Sequence, residues 1–437
     1  MKQVSFFLLA FLGSFLSQAQ ELWTLEQASQ QALQNNLQIQ VAGFDRQIAE
    51  SRVQEVYKTL LPQISFDGRY QYLVDIPVQL IPGEIFGQAG RTVEAQFGVA
   101  QSTSGTFQAS QIVYNPSVIV ATKAAKTAAE LSDLQLKQQK ENLIYSLSAT
   151  YYNLQTVKKQ VEFVVSNQKN IEKLLATTEL LVKGGLAKQL DADRLKVSLQ
   201  NLKSNEENLK VLENKLSNLL KIQMGLELTK DIQISEIEET VEKIEIPTSI
   251  RTELQLLEKN KRLVELDRQN INAGYLPSIN AFASLGYTAY NNQFNPFAKK
   301  EGTRWYPTTV IGLQMSFSIF DGMQKYQKAK TKNLEINKLE KQRLLLTQNI
   351  EMESLNAQNQ YQQSQTALEF QKQNLELAQK NYTNVSLQYK EGITPFSELI
   401  SSENALKEAQ TNFLNEIVKL RIAELELKKA TGNLLAK

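Results

Sequence analysis

The sequence predicts a mainly helical fold with a small β portion, dominated by two long helical hairpins. Three observations predict it. Seven of the nine prolines lie in residues 62–116 and 277–307, and neither proline nor glycine occurs in residues 117–183 or 323–391. Apolar residues recur at helical spacing in these two uninterrupted segments. In the proline-containing windows, apolar and polar residues alternate, which is the pattern of strands.

The first 19 residues have the features of a signal peptide. Lys2 precedes an apolar run over residues 4–16, and small residues at Ser17 and Ala19 suit cleavage before Gln20. The run is shorter than the about 20 apolar residues of a transmembrane helix. We therefore interpret residues 1–19 as a signal peptide and the remaining chain as exported. A buried N-terminal helix is the alternative.

Composition excludes several classes of function. The chain contains no histidine and no cysteine, so we expect no catalytic triad, no zinc site, no disulfide and no lipid-modified cysteine. A formal net charge of +2, with basic and acidic residues interleaved along the chain, argues against nucleic acid as a partner. We expect no cofactor and no catalytic residue. An exported enzyme that uses carboxylates is one hypothesis, but no isolated Asp or Glu pair stands out in the sequence.

Each uninterrupted segment predicts a helix of about 100 Å at a rise of about 1.5 Å per residue. Shorter helices follow over residues 186–225 and 395–432. Spacings of three and four alternate along the first long segment, which predicts a heptad seam that pairs with other helices. Its positions are Leu143, Leu147, Thr150, Leu154, Val157, Val161, Val164, Gln168, Ile171, Leu175, Thr178 and Val182.

The turns and strands recur, which predicts an internal duplication. Leu61-Pro62 recurs as Leu276-Pro277, 215 positions later, and Gly185 and Gly225 recur as Gly392 and Gly432, 207 positions later. We expect a first repeat at residues 20–225, an acidic linker at 226–247 and a second repeat at 248–437. In the first repeat a helix precedes strands near 63–74 and 106–115, and helices 117–183 and 186–225 follow them. In the second repeat a helix precedes strands near 278–290 and 309–320, and helices 323–391 and 395–432 follow them.

Four strands are too few to close a β-barrel, since closed barrels begin at eight. If the strands enter a membrane, several copies of the chain must share one barrel. A small soluble β-domain is the alternative interpretation of the strands. The inserts at 73–105 and 289–306 are predicted to be extracellular loops between paired strands.

This layout resembles the TolC-type outer-membrane efflux proteins, and the resemblance covers residues 22–437. It rests on the Leu-Pro strand entries, on the turns Lys183-Gly184-Gly185-Leu186 and Tyr389-Lys390-Glu391-Gly392, and on the closing Met224-Gly225 and Ala430-Thr431-Gly432. The resemblance implies a homotrimer in the bacterial outer membrane. Its shared twelve-stranded barrel would contact outer-membrane lipid, and its helical barrel would extend into the periplasm.

The resemblance also implies function and partners. Such a protein is a passive exit channel that a periplasmic adaptor joins to an inner-membrane pump in an efflux or type I secretion system. A structural or adhesive surface coiled coil without a pore is the alternative. The transported substrate is not evident from the sequence.

Candidate site residues follow from the same resemblance. Gly185, Leu186, Gly392 and Ile393 form the hairpin tips at which the adaptor would dock. Tyr389, Glu398 and Asp191 correspond to gate positions. Thr394 and Ser401 stand where the family has a gate arginine and a second acidic residue, so part of the gate is missing. Three copies of Glu398 around the pore axis would make the pore favour cations over anions. The alternative for both Glu398 and Asp191 is a solvated acid in the first turn of a helix.

Overall fold

The protein is described by a computed structural model over residues 22–87, 89–237, 249–292 and 304–435. The predicted signal peptide lies outside the described residues. So do residues 238–247 of the predicted acidic linker.

Helices account for 68% and strands for 17%, which confirms the predicted mainly helical fold class. In chain order the elements are β1 (Leu22–Trp23), α1 (Leu25–Asn35), α2 (Leu37–Lys58), β2 (Gln63–Tyr72), β3 (Val78–Pro82), β4 (Thr92–Gln96), β5 (Gln101–Tyr114), α3 (Pro116–Lys183), α4 (Gln189–Met224), β6 (Gln233–Ile234), α5 (Thr252–Ala273), β7 (Ser278–Asn291), β8 (Arg304–Ser316), α6 (Gln324–Lys390) and α7 (Phe396–Ala430).

The chain divides into two compact units. We call Met1–Phe44, Leu134–Gln255 and Leu344–Lys437 the hairpin unit, and Asp45–Asp133 with Leu256–Arg343 the sheet unit. Each unit contains residues from both predicted sequence repeats.

Four helices of the hairpin unit, α3, α4, α6 and α7, end in the same way, at a glycine with positive φ. Gly185 has φ 74°, Gly225 69°, Gly392 72° and Gly432 75°. The next amide donates to the carbonyl five residues back, as in Leu186 N to Leu181 O at 2.8 Å. This hydrogen bond and the positive-φ glycine define the Schellman motif, which satisfies the last carbonyls of a helix.

The core of the hairpin unit lies along the predicted seam. Nine of its twelve positions are buried, and Val161, Leu175 and Val182 are half-buried. One cluster joins α3 and α4 to α6 and α7, with Leu195, Leu399 and Leu406 at most 2% exposed. Burial of such leucines contributes roughly 1.5–3 kcal/mol each.

A short parallel strand pair, β1 with β6, also packs in the hairpin unit. Tyr151 of α3 is 1% exposed, and its hydroxyl lies 2.8 Å from the Trp23 carbonyl oxygen and 2.7 Å from Ser235 Oγ. Gln155 donates to the Ser235 and Glu236 carbonyls. These side chains hold the strand pair on the long helix.

The sheet unit contains one antiparallel four-stranded sheet with the order β2-β5-β7-β8. Directly opposed residues lie on the same face of a sheet. One face is largely apolar and aromatic and includes Ile64, Phe66, Tyr70, Phe107, Leu285, Ile311 and Leu313. The opposite face is largely polar and includes Ser65, Asp67, Arg69, Ser104, Gln108, Ser284, Thr288 and Thr308.

The strand bounds differ from the predicted ones. β5 begins at Gln101 rather than near 106, because its Ser, Thr and Gly residues pair with both β2 and β7 although they show no apolar alternation. β8 ends at Ser316 rather than near 320, because its partner β7 begins at Ser278, directly after Pro277. The predicted loop at 73–105 also contains the hairpin β3-β4.

Gly225 offers a test of the helix ends. A Cβ at Gly225 would lie 2.3 Å from the Asn35 carbonyl oxygen, and the backbone has φ 69°. We expect Gly225→Ala to lower the thermal unfolding midpoint by several degrees, because both strain and a backbone clash result. Gly43→Ala is the control: nothing lies within 4 Å of its Cβ, and α2 is helical there, so its midpoint should rise slightly or stay unchanged. Equal effects of the two changes, measured by circular dichroism, would contradict this account.

Candidate functional site

The two hairpin ends present an apolar side chain next to a turn glycine. Leu186 is 80% exposed and Ile393 is 73% exposed, each directly after the positive-φ residue Gly185 or Gly392. A glycine at this position is a structural requirement, since an L side chain is strained there. The apolar side chain after each glycine leaves most of its surface uncovered at the end of the hairpin.

Tyr389, a predicted gate residue, lies in the core of the hairpin unit. It is 6% exposed, and its ring centroid lies 5.8 Å from that of Phe396 in an edge-on arrangement. Its hydroxyl lies 3.5 Å from Thr178 Oγ1. Because the Thr178 hydroxyl donates to the Leu174 carbonyl, Tyr389 is the donor of this long hydrogen bond. The tyrosine thus ties the end of α6 to α3.

The two predicted gate acids lie in first helical turns. Asp191 is half-buried at the start of α4, and Glu398 is exposed at the start of α7. Thr394, at the position where the resemblance leads us to expect a gate arginine, donates from its hydroxyl to Gln388 Oε1 at 3.0 Å and so supports the turn. Ser401 is exposed.

Buried polar contacts between the hairpins were not predicted from the sequence. Asn167 of α3 donates to Gln410 Oε1 of α7 at 2.8 Å, and both residues are buried. Nearer the tips, Ser198 Oγ lies 3.3 Å from Glu403 Oε1, and Glu403 is ion-paired with Lys407. The sequence carries no signal for these contacts, since Asn167 is not one of the twelve seam positions of α3.

The charge of Glu403 also acts on a neighbouring tyrosine. Glu403 is 4% exposed. Burial, together with the charge of Glu403, raises the pKa of Tyr382 to about 12. Tyr382 therefore stays a neutral phenol well above physiological pH, and the neighbouring Glu403 is ion-paired with Lys407.

A charged cluster marks the start of α5. The Arg251 side chain is 8% exposed and donates to Glu253 Oε1 and Glu353 Oε2, both at 2.8 Å. Hydrogen bonding to Glu253, followed by Glu353, raises the pKa of Arg251 although burial opposes it. The same contact with Arg251 lowers the pKa of Glu253. Next to it, Thr252 donates to Glu141 of α3 at 2.7 Å, so the cluster connects α5 to α3 and α6.

None of the helices in the described residues is both long and apolar enough to cross a membrane. In the same part of the chain, no group of three His, Cys, Asp or Glu side chains is arranged to hold a metal ion.

Helical hairpins with glycine ends, joined to an antiparallel sheet with one apolar face, define a class of channel protein. The family model for "outer membrane efflux protein" matches residues 28–216 and 251–433, so the chain belongs to this family. The family consists of transport channels rather than enzymes. Its members lie in the outer membrane and extend into the periplasm, which confirms the location expected from the sequence.

Individual relatives are distant but extend over nearly the whole chain. The chain is 20% identical to outer membrane protein TolC of Escherichia coli (strain K12) over 435 residues, 96% of this chain and 84% of that protein. The outer-membrane channel OprN matches with a TM-score of 0.74 at 17% identity, over 94% of this chain and 90% of OprN. The outer membrane protein VceC of Vibrio cholerae matches with a TM-score of 0.72 at 13% identity, over 93% and 96%. At these identities the structural matches establish the fold alone.

The Arg251 cluster predicts a pH-dependent effect on stability. We expect Arg251→Gln to lower the free energy of unfolding by about 1–3 kcal/mol at pH 7, because Glu253 and Glu353 each lose a charged hydrogen bond. The pKa of Glu253 is lower in the folded protein than its unfolded value of 4.5. The ionised carboxylate therefore contributes to stability above pH 4.5, and this contribution is lost as pH falls through the folded pKa. The penalty of the variant should therefore begin to shrink as pH falls below 4.5.

Arg262→Gln is the matched control, since Arg262 pairs with Glu265 one turn along the same helix and is 46% exposed. Its effect should stay below about 0.5 kcal/mol. Denaturant unfolding at pH 7 and pH 3.5 provides the measurement. A penalty for Arg251→Gln that is the same at both pH values would exclude the role assigned to the Glu253 contact.

Proposed function

We propose that this chain is the passive outer-membrane exit channel of a tripartite efflux or type I secretion system. Three copies would share one twelve-stranded barrel in outer-membrane lipid, and their hairpins would form a tube in the periplasm. An inner-membrane pump supplies the energy, and a periplasmic adaptor connects the pump to this tube. The channel needs no cofactor and carries out no reaction.

The four-stranded sheet is the observation that carries this proposal. Its apolar face bears exposed side chains such as Ile64, Ile311 and Leu313, which are 75%, 80% and 72% exposed. Its opposite face is largely polar. Apolar side chains directed to lipid and polar ones directed to a lumen are typical of transmembrane barrels. β2 and β8 end the sheet, and closing it with further copies would satisfy both edges, as lipid requires.

We also propose that residues 20–225 and 248–437 are two copies of one structural plan, joined by the acidic segment 226–247. Two ion pairs support the proposal: Arg46 of α2 pairs with Asp133 of α3, and Lys261 of α5 pairs with Glu340 of α6. The second pair lies 215 and 207 positions beyond the first, which are the offsets that relate the Leu-Pro strand entries and the turn glycines.

Conductance tests the channel function directly. We expect the purified protein to produce stepwise ion currents in a planar lipid bilayer and to fractionate with the outer membrane. A protein that fractionates there but never conducts would favour the structural or adhesive coiled coil. Glu398→Gln should reduce the preference for cations, measured as a smaller reversal potential in a salt gradient.

Glu408→Gln is the matched control, because Glu408 is an exposed acid on the same helix, farther from its start. It should leave the reversal potential unchanged. If Glu398→Gln also leaves it unchanged while the currents persist, Glu398 does not line the pore.

The hairpin tips are proposed as the adaptor-docking site, with Leu186 and Ile393 as the contacting side chains. A charged residue at an apolar contact must be desolvated, so we expect Leu186→Asp with Ile393→Asp to weaken adaptor binding at least tenfold. Ile85→Asp is the control, as Ile85 is 73% exposed on the predicted extracellular side. Co-purification with the adaptor is the readout. Unaltered binding by the double variant would locate the docking surface elsewhere.

A further inference from the structure

The starts of the two long helices differ in charge from the rest of the chain. Basic and acidic residues are interleaved along most of the sequence, but residues 116–129 of α3 contain two lysines, residues 322–334 around the start of α6 contain four, and neither stretch contains Asp or Glu. Both stretches lie in the sheet unit, shortly after a strand of the four-stranded sheet. Positive charge is therefore concentrated where the helices leave the proposed barrel.

Two of these lysines, Lys123 and Lys330, occupy equivalent positions of the proposed repeats, 207 residues apart. Both are exposed, and neither takes part in an ion pair with the described residues. By contrast, Lys325 is paired with Asp321, and Lys332 is paired with an acid of the next turn. An exposed lysine without such a partner adds little to stability, so the fold does not account for this recurrence.

An exposed apolar side chain precedes each of the two lysines by one helical turn. Ile119 is 50% exposed and Tyr326 is 58% exposed. Residues four apart lie on the same face of a helix. Counted from the sheet, each helix therefore presents an apolar side chain and then a lysine. This order is typical of the boundary between the hydrocarbon and the headgroups of a membrane.

Further exposed apolar side chains surround the ends of the strands. At the Leu-Pro entries Leu61 is 57% exposed and Leu276 is 51% exposed, and after β8 Ile319 and Phe320 are 87% and 79% exposed. They adjoin the sheet whose apolar face is proposed to contact lipid. An apolar surface of this extent is typical of an interaction site. It reaches from the strands to the first turns of the long helices.

We propose that Lys123 and Lys330 bind the phosphate groups of anionic phospholipids in the periplasmic leaflet of the outer membrane. An acidic protein would match the lysines alone, whereas a phospholipid matches each lysine together with the apolar side chain one turn before it. Clustered basic residues next to a membrane-embedded segment attract anionic headgroups. This inference rests on the proposed barrel and adds which lipids surround its periplasmic end.

The depth of the two lysines agrees with the headgroup layer. Lys123 lies seven residues after Pro116, the first residue of α3, and Lys330 lies six residues after Gln324, the first residue of α6. At a rise of about 1.5 Å per residue these separations are about 9–11 Å. The headgroup layer is about 5–8 Å thick on each side of the hydrocarbon. The long lysine side chain can bend back toward this layer and place its ammonium group beside the phosphates.

The lipids that remain bound to the protein test this inference. The protein is inserted into vesicles of equal parts phosphatidylglycerol and phosphatidylcholine with the same acyl chains. It is then extracted in a mild detergent, and the retained lipids are quantified. The protein should retain phosphatidylglycerol in preference, and a wash at high salt should abolish this preference because salt screens the charges. Lys123→Gln with Lys330→Gln should lower the ratio of the two retained lipids at least fivefold, since one lysine near an anionic surface contributes about a fivefold factor.

Lys372→Gln with Lys380→Gln is the matched control. It removes the same charge from exposed positions of α6, about 63 Å or more beyond Lys330 at a rise of about 1.5 Å per residue. This variant should leave the ratio of retained lipids unchanged. Lys123→Arg with Lys330→Arg keeps the charge and should keep the preference for phosphatidylglycerol.

Three results would overturn this proposal: an unaltered protein that retains both lipids equally, a preference that survives the loss of both lysines, or an equal loss in the control variant. Planar-bilayer currents of the same preparations separate these results from the channel function. Currents without a lipid preference leave the proposed channel intact. A protein that neither inserts nor conducts overturns both.

Discussion

The architecture depends on the conformation of four glycines, at 185, 225, 392 and 432. Each has φ near +70°, a region that L side chains rarely adopt. Here each long helix stops, its last carbonyls are satisfied by the Schellman hydrogen bonds, and the chain reverses or leaves the hairpin. The reversal brings α3 against α4 and α6 against α7, and only then can their apolar seams be buried. Without this packing the helices would be only marginally stable, because most helical stability in proteins comes from burying an apolar face against other elements.

Much of this fold could be predicted from the sequence because its determinants are local. Proline and glycine positions fix where helices can run, and the heptad spacing fixes which face of α3 is buried. The start of β5 was not predictable in this way. Its residues at 101–106 are Gln, Ser, Thr and Gly, and they become a strand because β2 and β7 pair with them from both sides. A strand that forms because distant segments pair with it is not indicated by its own local residue pattern.

In the candidate site, too, locally determined features could be predicted and contacts between distant segments could not. The tips at Leu186 and Ile393 followed from the turn glycines, and the structure exposes both side chains. The contact between the rings of Tyr389 and Phe396 could not be predicted, since the sequence does not state which helix faces which. Relatives at 13–20% identity share the fold with this chain. Glycine-ended hairpins and an amphipathic sheet therefore tolerate changes in the identity of most side chains.

The hydrogen bond between Asn167 and Gln410 limits how the two hairpins can move. Sliding one hairpin along the other by a full helical turn, about 5.4 Å, would separate a donor and acceptor now 2.8 Å apart. Both amides would then be buried without partners, at a cost of about 1–3 kcal/mol for each group. Rotation about this contact keeps the hydrogen bond and requires only that neighbouring apolar side chains repack. The contact thus acts as a pivot, and a swing of one hairpin end costs less than a translation.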